Sequence, residues 1–472
     1  MKHTRSQFFS TTFGATLSFS LLGALAFACS SSEEKVNTDD FGDTGTSDAG
    51  NTDTGTEAAK DVDLSGEITA DLTLRAKDNN LLKGITFVKS GVTLTIEKGT
   101  VIKGDNASKA VLVIQPGAKI IAEGTESEPI VFTSQAAEGS KKAGDWGGII
   151  LLGKAPINVP GGTASVEGIT NGGSYGGTDA ADSSGSMRFV RIEYSGVLLS
   201  PNNEVNGLTF AGVGSGTKID HIQVRHTLDD CFEFFGGTVN AKYLACQYNQ
   251  DDGLDFDFGY KGKIQFFVLQ QDPNIADDTN GFESDNDAQG SANAPQTEPT
   301  VYNATLCGHG KEVGKQQYGW LLRRNTKGHY FNVLTLGFEA GVDVRDTVTG
   351  AGATSGGLEI KNSLVFGSVG ADLLDGISYP ESGAEAPNKD NDGNFDEAAW
   401  FKGATNGWSD PGVAGCFDAN APSFAMTKSP GLAAATPPGD GFFDATATYV
   451  GAFKDANDDW ARKGTWAVWK DK

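Results

Sequence analysis

The order of apolar and polar positions between residues 219 and 259 repeats with a step of about 22 residues. Ile219 to Gly237 reads IDHIQVRHTLDDCFEFFGG, and Ala241 to Gly259 reads AKYLACQYNQDDGLDFDFG. Superposed, Asp229-Asp230 falls on Asp251-Asp252, Phe232-Glu233-Phe234 on Leu254-Asp255-Phe256, and Ile222 and Val224 on Leu244 and Cys246. Each unit is two short alternating stretches joined by an acidic turn. Alternation with period 2 predicts strands whose successive side chains face opposite ways. Weaker copies are Gly281-Phe-Glu-Ser-Asp285, after an insertion near Asp272 to Thr279, and Gly341-Val-Asp-Val344. Asn206-Gly-Leu-Thr-Phe210 is a copy without the acid. Further alternating strands are predicted at Val92–Ile96, Val111–Ile114, Lys119–Ala122, Phe189–Tyr194, Phe331–Leu336 and Leu358–Phe366.

A unit this short cannot bury its own apolar face, so successive units must stack. The pattern predicts an all-β chain: a right-handed parallel β-helix, a solenoid with coils of about 22 residues and with loop insertions. A propeller needs repeats about twice as long. In stacked coils Phe232, Leu254, Phe282 and Val342 point inward, as do Phe234, Phe256 and Val344. Glu233, Asp255, Glu283 and Asp343 point outward as an acidic ladder. Of the seven tryptophans (Trp146, Trp320, Trp400, Trp408, Trp460, Trp466, Trp469), three fall in the last thirteen residues and suggest a C-terminal cap. Stacking on sugar faces is the other use for such rings.

The ends change the picture of where the chain works. Lys2, His3 and Arg5 precede an apolar run from Phe13 to Ala28, the form of a secretory signal. It ends in Leu25-Ala-Phe-Ala-Cys29, which resembles a lipobox with Ala26 where leucine is usual. The expected organisation is a signal peptide at 1–28, a lipidated Cys29 with an acidic tether at 29–60, and a β-helix over 61–472. The tether is Ser, Thr, Asp, Gly and Glu, too polar to offset its ordering entropy. Ser30 is not an acidic retention signal, so a lipid-anchored position at the outer membrane or cell surface is expected, the anchor being the membrane contact. Loss of Lys2 and Arg5 with the leader takes the net charge from −24 to −26. That argues against nucleic acid as a partner and leaves a glycan or a surface protein.

Several stretches resemble a family of bacterial cell-surface lipoproteins expected to be parallel β-helices. They include Gly99-Thr-Val-Ile-Lys-Gly-Asp105, Ile114-Gln-Pro-Gly-Ala-Lys-Ile-Ile-Ala-Glu-Gly-Thr125, Gly144-Asp-Trp-Gly-Gly-Ile-Ile-Leu-Leu-Gly153 and Gly281-Phe-Glu-Ser-Asp-Asn-Asp287. The resemblance runs from Gly99 to about Phe453. It implies the fold and the location, and no activity.

The acids are the most informative chemistry. Asp229, Asp230, Glu233, Asp251, Asp252, Asp255, Asp257, Glu283, Asp285 and Asp287 recur at the repeat spacing. Carboxylates on stacked coils repel unless a cation intervenes, and calcium suits flexible arrays of oxygens. The competing reading is a solvated acidic face with Asp-rich turns that supply caps. Asp390, Asp392 and Asp396 copy the first half of a calcium loop, with Gly393 at the turn and Ala399 where the closing Glu would stand. After Cys29 four cysteines remain, Cys231, Cys246, Cys307 and Cys416, open to three pairings or to none. Cys231–Cys246 with Cys307–Cys416 is one of these.

The enzyme alternative is a polysaccharide hydrolase or lyase. Asn249-Gln-Asp-Asp252, His226 with Asp229-Asp-Cys231, Gly308-His-Gly310 and Arg323-Arg324 resemble motifs of the pectin-hydrolysing β-helix enzymes. Two carboxylates would serve as acid and base, His309 would orient water, and an arginine would hold an acidic sugar. Against this, the Asp-Asp pairs recur once per coil, as a structural turn would, and Arg323-Arg324 follows Gly-His-Gly too closely. No zinc-type His/Cys spacing, phosphate loop or nucleophile elbow is present. The expected function is therefore a non-catalytic binding or structural module stabilised by calcium.

Overall fold

The computed structural model describes residues 58–169, 171–200, 203–274, 278–313, 316–380 and 392–470. The signal peptide, Cys29, nearly all of the tether and Asp390 lie outside these residues. The chain folds as a parallel β-helix: one 23-stranded sheet winds through successive coils, and two short antiparallel hairpins lie outside it. Every pairing within the large sheet is parallel, as between Ile219 and Ala241 or Phe232 and Leu254. The 22-residue step seen in the sequence is the length of an uninterrupted coil. Longer coils carry loops, as between Ile264 and its partner Val301.

Three faces make up each coil. The long strands Gly185–Glu193, Lys218–Arg225, Asn240–Gln247, Lys263–Gln270, Thr300–Cys307 and Gly328–Leu336 supply two of them. The third is formed by Ile149–Leu152, Leu208–Ala211, Phe232–Phe235, Leu254–Asp257, Phe282–Ser284, Tyr318–Leu322 and Ala340–Val344. Each long strand bends at one residue in the left-handed region: Phe189, His221, Tyr243, Phe266, Asn303, Asn332, and Asn362 in the last coil. That conformation costs about 1–2 kcal/mol in a residue other than glycine. Stacking offsets it in the first four, with ring centroids 4.4, 4.3 and 4.8 Å apart along Phe189–His221–Tyr243–Phe266. Asn tolerates the conformation better, and the asparagines add hydrogen bonds to a distant segment. For the same reason the stretch predicted as one strand at Leu358–Phe366 is two, Leu358–Lys361 and Leu364–Phe366.

Inside, apolar side chains form columns. Phe210 stacks on Phe234 at 4.8 Å, Phe234 on Phe256 at 5.4 Å, and Phe282 on Tyr330 at 5.5 Å. Just before the third face the coils approach most closely, and glycine recurs there. A Cβ at Gly253, Gly281 or Gly319 would lie 2.6–2.7 Å from the carbonyl oxygen of the next coil's glycine. Cys231 takes the same place in one coil and bonds to Cys246; the second disulfide is Cys307–Cys416.

Two short helices close the C-terminal end of the stack: α1 (Thr347–Ser355) and α2 (Glu397–Gly403). Phe401 of α2 packs 6.5 Å from Trp320. Trp460, Trp466 and Trp469, expected to cap this end, do not. They belong to a strap, residues 408–470, that turns back along the flank. Its backbone carbonyls accept hydrogen bonds from Arg191, Gln247, Gln270, Asn303, Asn332 and Asn362. Trp466 meets His221 edge-on at 5.3 Å, and Trp460 meets Tyr243 at 5.3 Å. The flank it covers is apolar, with Val268, Leu334, Leu336 and Leu364 among its residues. The tryptophans are buried against that flank, where covering apolar surface is favourable.

Candidate functional site

The acids converge on the outer side of the third face. Parallel registry aligns Thr209, Glu233, Asp255, Glu283, Leu321 and Asp343 in one outward column. A neighbouring column holds Phe235 and Asp257. Beside them run the turn residues that precede the strands, Asn206, Asp230, Asp252 and Asn280. The expected direction of the ladder is correct, but a solvated face is not what it forms. Glu233, Asp255, Glu283 and Asp343 are only 8, 1, 4 and 3 % exposed. Insertions cover the column. On the N-terminal side Ile157, Val166, Ile169, Tyr175 and Val205 pack on Ile150, Leu152 and Ala211. Further along, Asn158 of the same insertion donates to the backbone oxygen of Asn286, at 2.7 Å, bringing two covering loops together.

The turn acids do two jobs. Asp230 Oδ1 accepts the Asp252 backbone N–H at 2.8 Å, and Asp252 Oδ1 accepts the Asn280 N–H at 2.9 Å. Asn280 Oδ1 in turn accepts the Tyr318 N–H at 3.0 Å. This side-chain ladder ties each coil to the next. The same acids also crowd. Asp229, Asp230 and Asp251 bring one oxygen each within 4.8 Å of one another, as do Asp230, Glu233 and Asp255, and Asp252, Asp255 and Glu283. The last two groups are fully buried. Burial pushes the Asp230 carboxyl well above the ordinary carboxylate range, and the charges of Asp229, Asp251, Asp252 and Glu233 push it further. Burial likewise raises the hydroxyl of Tyr175, with Asp257, Glu233 and Glu167 adding to it.

Two amides point at this crowd. Asn206 Nδ2 donates to Glu233 and to Thr209, and its Oδ1 is buried and accepts no hydrogen bond among the described residues. Asn249, in the turn of Asp251, donates to the Asp251 carbonyl at 2.6 Å, and its Oδ1 is likewise buried and unbonded. In the sequence Asn206 begins an acid-free copy of the repeat. Its registry with Asp230 is the signal that it belongs to the site.

Toward the C-terminal end arginines neutralise the row. Arg323 pairs with Glu283 and, at 2.9 Å, with Asp285; Arg324 also binds Asp285. Arg345 holds Asp343 through two hydrogen bonds, of 2.7 and 2.9 Å. Asp285 is therefore an ion-pair partner here. Asp287 organises its own loop by accepting the Gln289 and Ser291 N–H groups at 3.0 Å. Asp257 accepts the Phe258 N–H at 2.6 Å. The second acidic patch is also local: Asp392 accepts from Asn394 and Phe395, and Asp396 caps α2 by accepting the Ala399 N–H at 2.7 Å.

The hydrolase-like motifs do not assemble into one centre. The Asp251-Asp252 turn lies two coils from the His309 turn, and Arg323-Arg324 stand at the opposite end of Tyr318–Leu322 from His309. His309 is buried, which lowers its pKa to about 4, and its Nε2 lies 3.3 Å from Gln317 Nε2. A neutral imidazole accepting from that amide fits both observations. Both arginines are engaged by acids, as described above.

The strands, coils and registry define a parallel β-helix. Residues 66–408 match the family model described as a pectate-lyase-like beta helix domain. The chain belongs to that family. Neither the curated proteins nor the solved structures include a match to it.

Proposed function

We propose that the chain is a surface-anchored, non-catalytic β-helical lipoprotein. Its acidic row holds a hard divalent cation, calcium by ligand type, and its long faces present a glycan- or protein-binding surface at the outer membrane. The observation that carries the cation is the Asn206 amide. A buried carbonyl oxygen that accepts nothing costs about 1–3 kcal/mol. Here it sits beside Glu233 in a group of carboxylates that mutual repulsion destabilises. Six to eight oxygens from carboxylates and amide carbonyls are what calcium takes. Asp229, Asp230, Glu233, Asp251, Asp252, Asp255 and Glu283, with Asn206 and Asn249, supply such a set. The lipobox-like Leu25-Ala-Phe-Ala-Cys29 and the polar stretch after it support lipid attachment and display away from the membrane.

Family membership favours one second reading, a β-helical carbohydrate-active enzyme. It predicts that polysaccharide incubated with the protein gains new chain ends, and that the gain disappears in Asp251→Asn and Asp252→Asn.

Calcium titration of the purified chain, followed by melting temperature, tests the first reading. Calcium at about 100 times its dissociation constant adds ~2.7 kcal/mol. That corresponds to roughly 3 °C for a domain of this size. Identical melting in chelator and in millimolar calcium rejects the cation site.

A further inference from the structure

Where the insertion covers the N-terminal end of the acidic row, its outer side carries a cleft of about 340 Å³, lined by Ser90, Gln115, Pro116, Gly172, Ser174, Tyr175 and Gly176. One wall is formed by turns of two successive coils, and the other by the hairpin Ala164–Ser165 and Ser174–Tyr175. The hairpin is fastened across the cleft, since Gln115 Nε2 donates to the Gly172 carbonyl at 2.9 Å. That bond uses the donor end of the amide and leaves its oxygen as an acceptor.

The rim is kept low by glycine. Gly172 and Gly176 have φ of 86° and 95°, and a Cβ on Gly172 would lie 2.8 Å from Gln115 Nε2. A hydroxyl and an ammonium converge at one end. A Cβ built on Gly117 would lie 2.7 Å from Ser90 Oγ and 3.0 Å from Lys154 Nζ. Lys154 is exposed and makes no ion pair among the described residues, in a chain of net charge −24. The lining therefore offers hydroxyls and an amide oxygen, with no carboxylate in it, and the Lys154 ammonium stands outside the lining, close to Gly117 next to Pro116. Tyr175 forms the back, and its ring packs 6.3 Å from Phe235.

We infer that this cleft binds a single neutral sugar residue of a glycan chain. The volume lies at the small end of ligand sites, about 300–1,000 Å³. A polar lining suits a ligand with many hydroxyls, because each donor and acceptor on the wall finds a partner on the ring. The ammonium of Lys154 donates to ring or hydroxyl oxygens, and the amide of Gln115 accepts. This deepens the glycan-binding reading proposed above and rests on it.

The test is saturation-transfer NMR on the full-length chain in mild detergent. The probes are methyl glycosides of glucose, galactose, mannose and N-acetylglucosamine at millimolar concentration, with calcium present. Calorimetry then follows on any glycoside that binds. At least one is expected to bind. Ser90→Ala and Lys154→Met, both at exposed positions, are expected to weaken it about tenfold each, the loss of one hydrogen bond of about 1.4 kcal/mol. Ser174→Trp, which fills the cleft, is expected to abolish binding with the melting temperature unchanged. Absence of binding by every probe overturns the inference. So does binding that survives Ser174→Trp, and so does a site that takes inorganic phosphate and no glycoside. None of these results alters the calcium shift, so failure here is distinct from failure of the cation site.

Discussion

Asp230→Asn isolates the charge at the centre of the acidic row. The amide oxygen that replaces Asp230 Oδ1 can still accept the Asp252 N–H, so the ladder between coils is kept. What disappears is a negative charge whose neighbours include Asp229, Asp251, Asp252 and Glu233. Two carboxylates at the 4.8 Å limit of these groups repel by about 3.5 kcal/mol at an effective dielectric of about 20. Partial protonation and relaxation reduce this, and a net gain of about 1–3 kcal/mol is expected for the variant in chelator. For a domain of this length that raises the melting temperature by about 1–4 °C. In calcium the variant gains less, because it has lost a ligand: its calcium-induced rise is expected to fall to less than half that of the parent. Scanning calorimetry in chelator and in millimolar calcium measures both numbers. A variant that melts lower than the parent in chelator would refute the repulsion argument. A variant with the full calcium response would remove Asp230 from the site.

Other outcomes follow from the same contacts. A carboxyl held above its unfolded value contributes stability below that value, and the contribution is lost as pH rises through the folded value. The Asp230 contribution is therefore expected to fall in chelator as pH rises above the ordinary carboxylate range of about 4, and calcium is expected to flatten the profile; thermal melts at rising pH check it. Arg323→Met leaves Glu283 and Asp285 buried beside a lost partner and is expected to cost about 3–5 kcal/mol, with part recovered in the double variant Arg323→Met/Glu283→Gln, as read by urea unfolding. Cys416→Ser opens a loop spanning 109 residues. It is expected to cost up to about 4–5 kcal/mol and to make the strap cleavable by trypsin at Lys428, seen by mass spectrometry.

The repeat made the solenoid legible because period 2 in short strands and a fixed step leave few other ways to bury Phe232, Leu254 and Phe282. It also put Glu233, Asp255 and Glu283 in one column. Their burial was not legible, because it depends on insertions that carry no repeat and on which coil each one crosses. Leu321 entered the acid column unnoticed, since its coil lacks the acidic signature. Sequence alone suggests a substrate clamp for Arg323 and Arg324; only the registry of Leu321 with Glu283 shows them closing the acidic row. The flank under the strap was hidden for a different reason. Apolar residues on the outer side of a long strand look like a fully buried strand, and sequence does not say that residues 408–470 are what buries them.

The strap also has a consequence in time. The stretch that seals the flank follows every coil in the sequence, so it is made after all of them. Coils can stack as they emerge, but Phe189, His221, Tyr243 and Phe266 stay bare along one side until Trp460 and Trp466 arrive. A chain that stops a dozen residues early lacks Trp466 and Trp469 and keeps that side sticky. The strap thus makes protection of the flank depend on residues that follow every coil it covers.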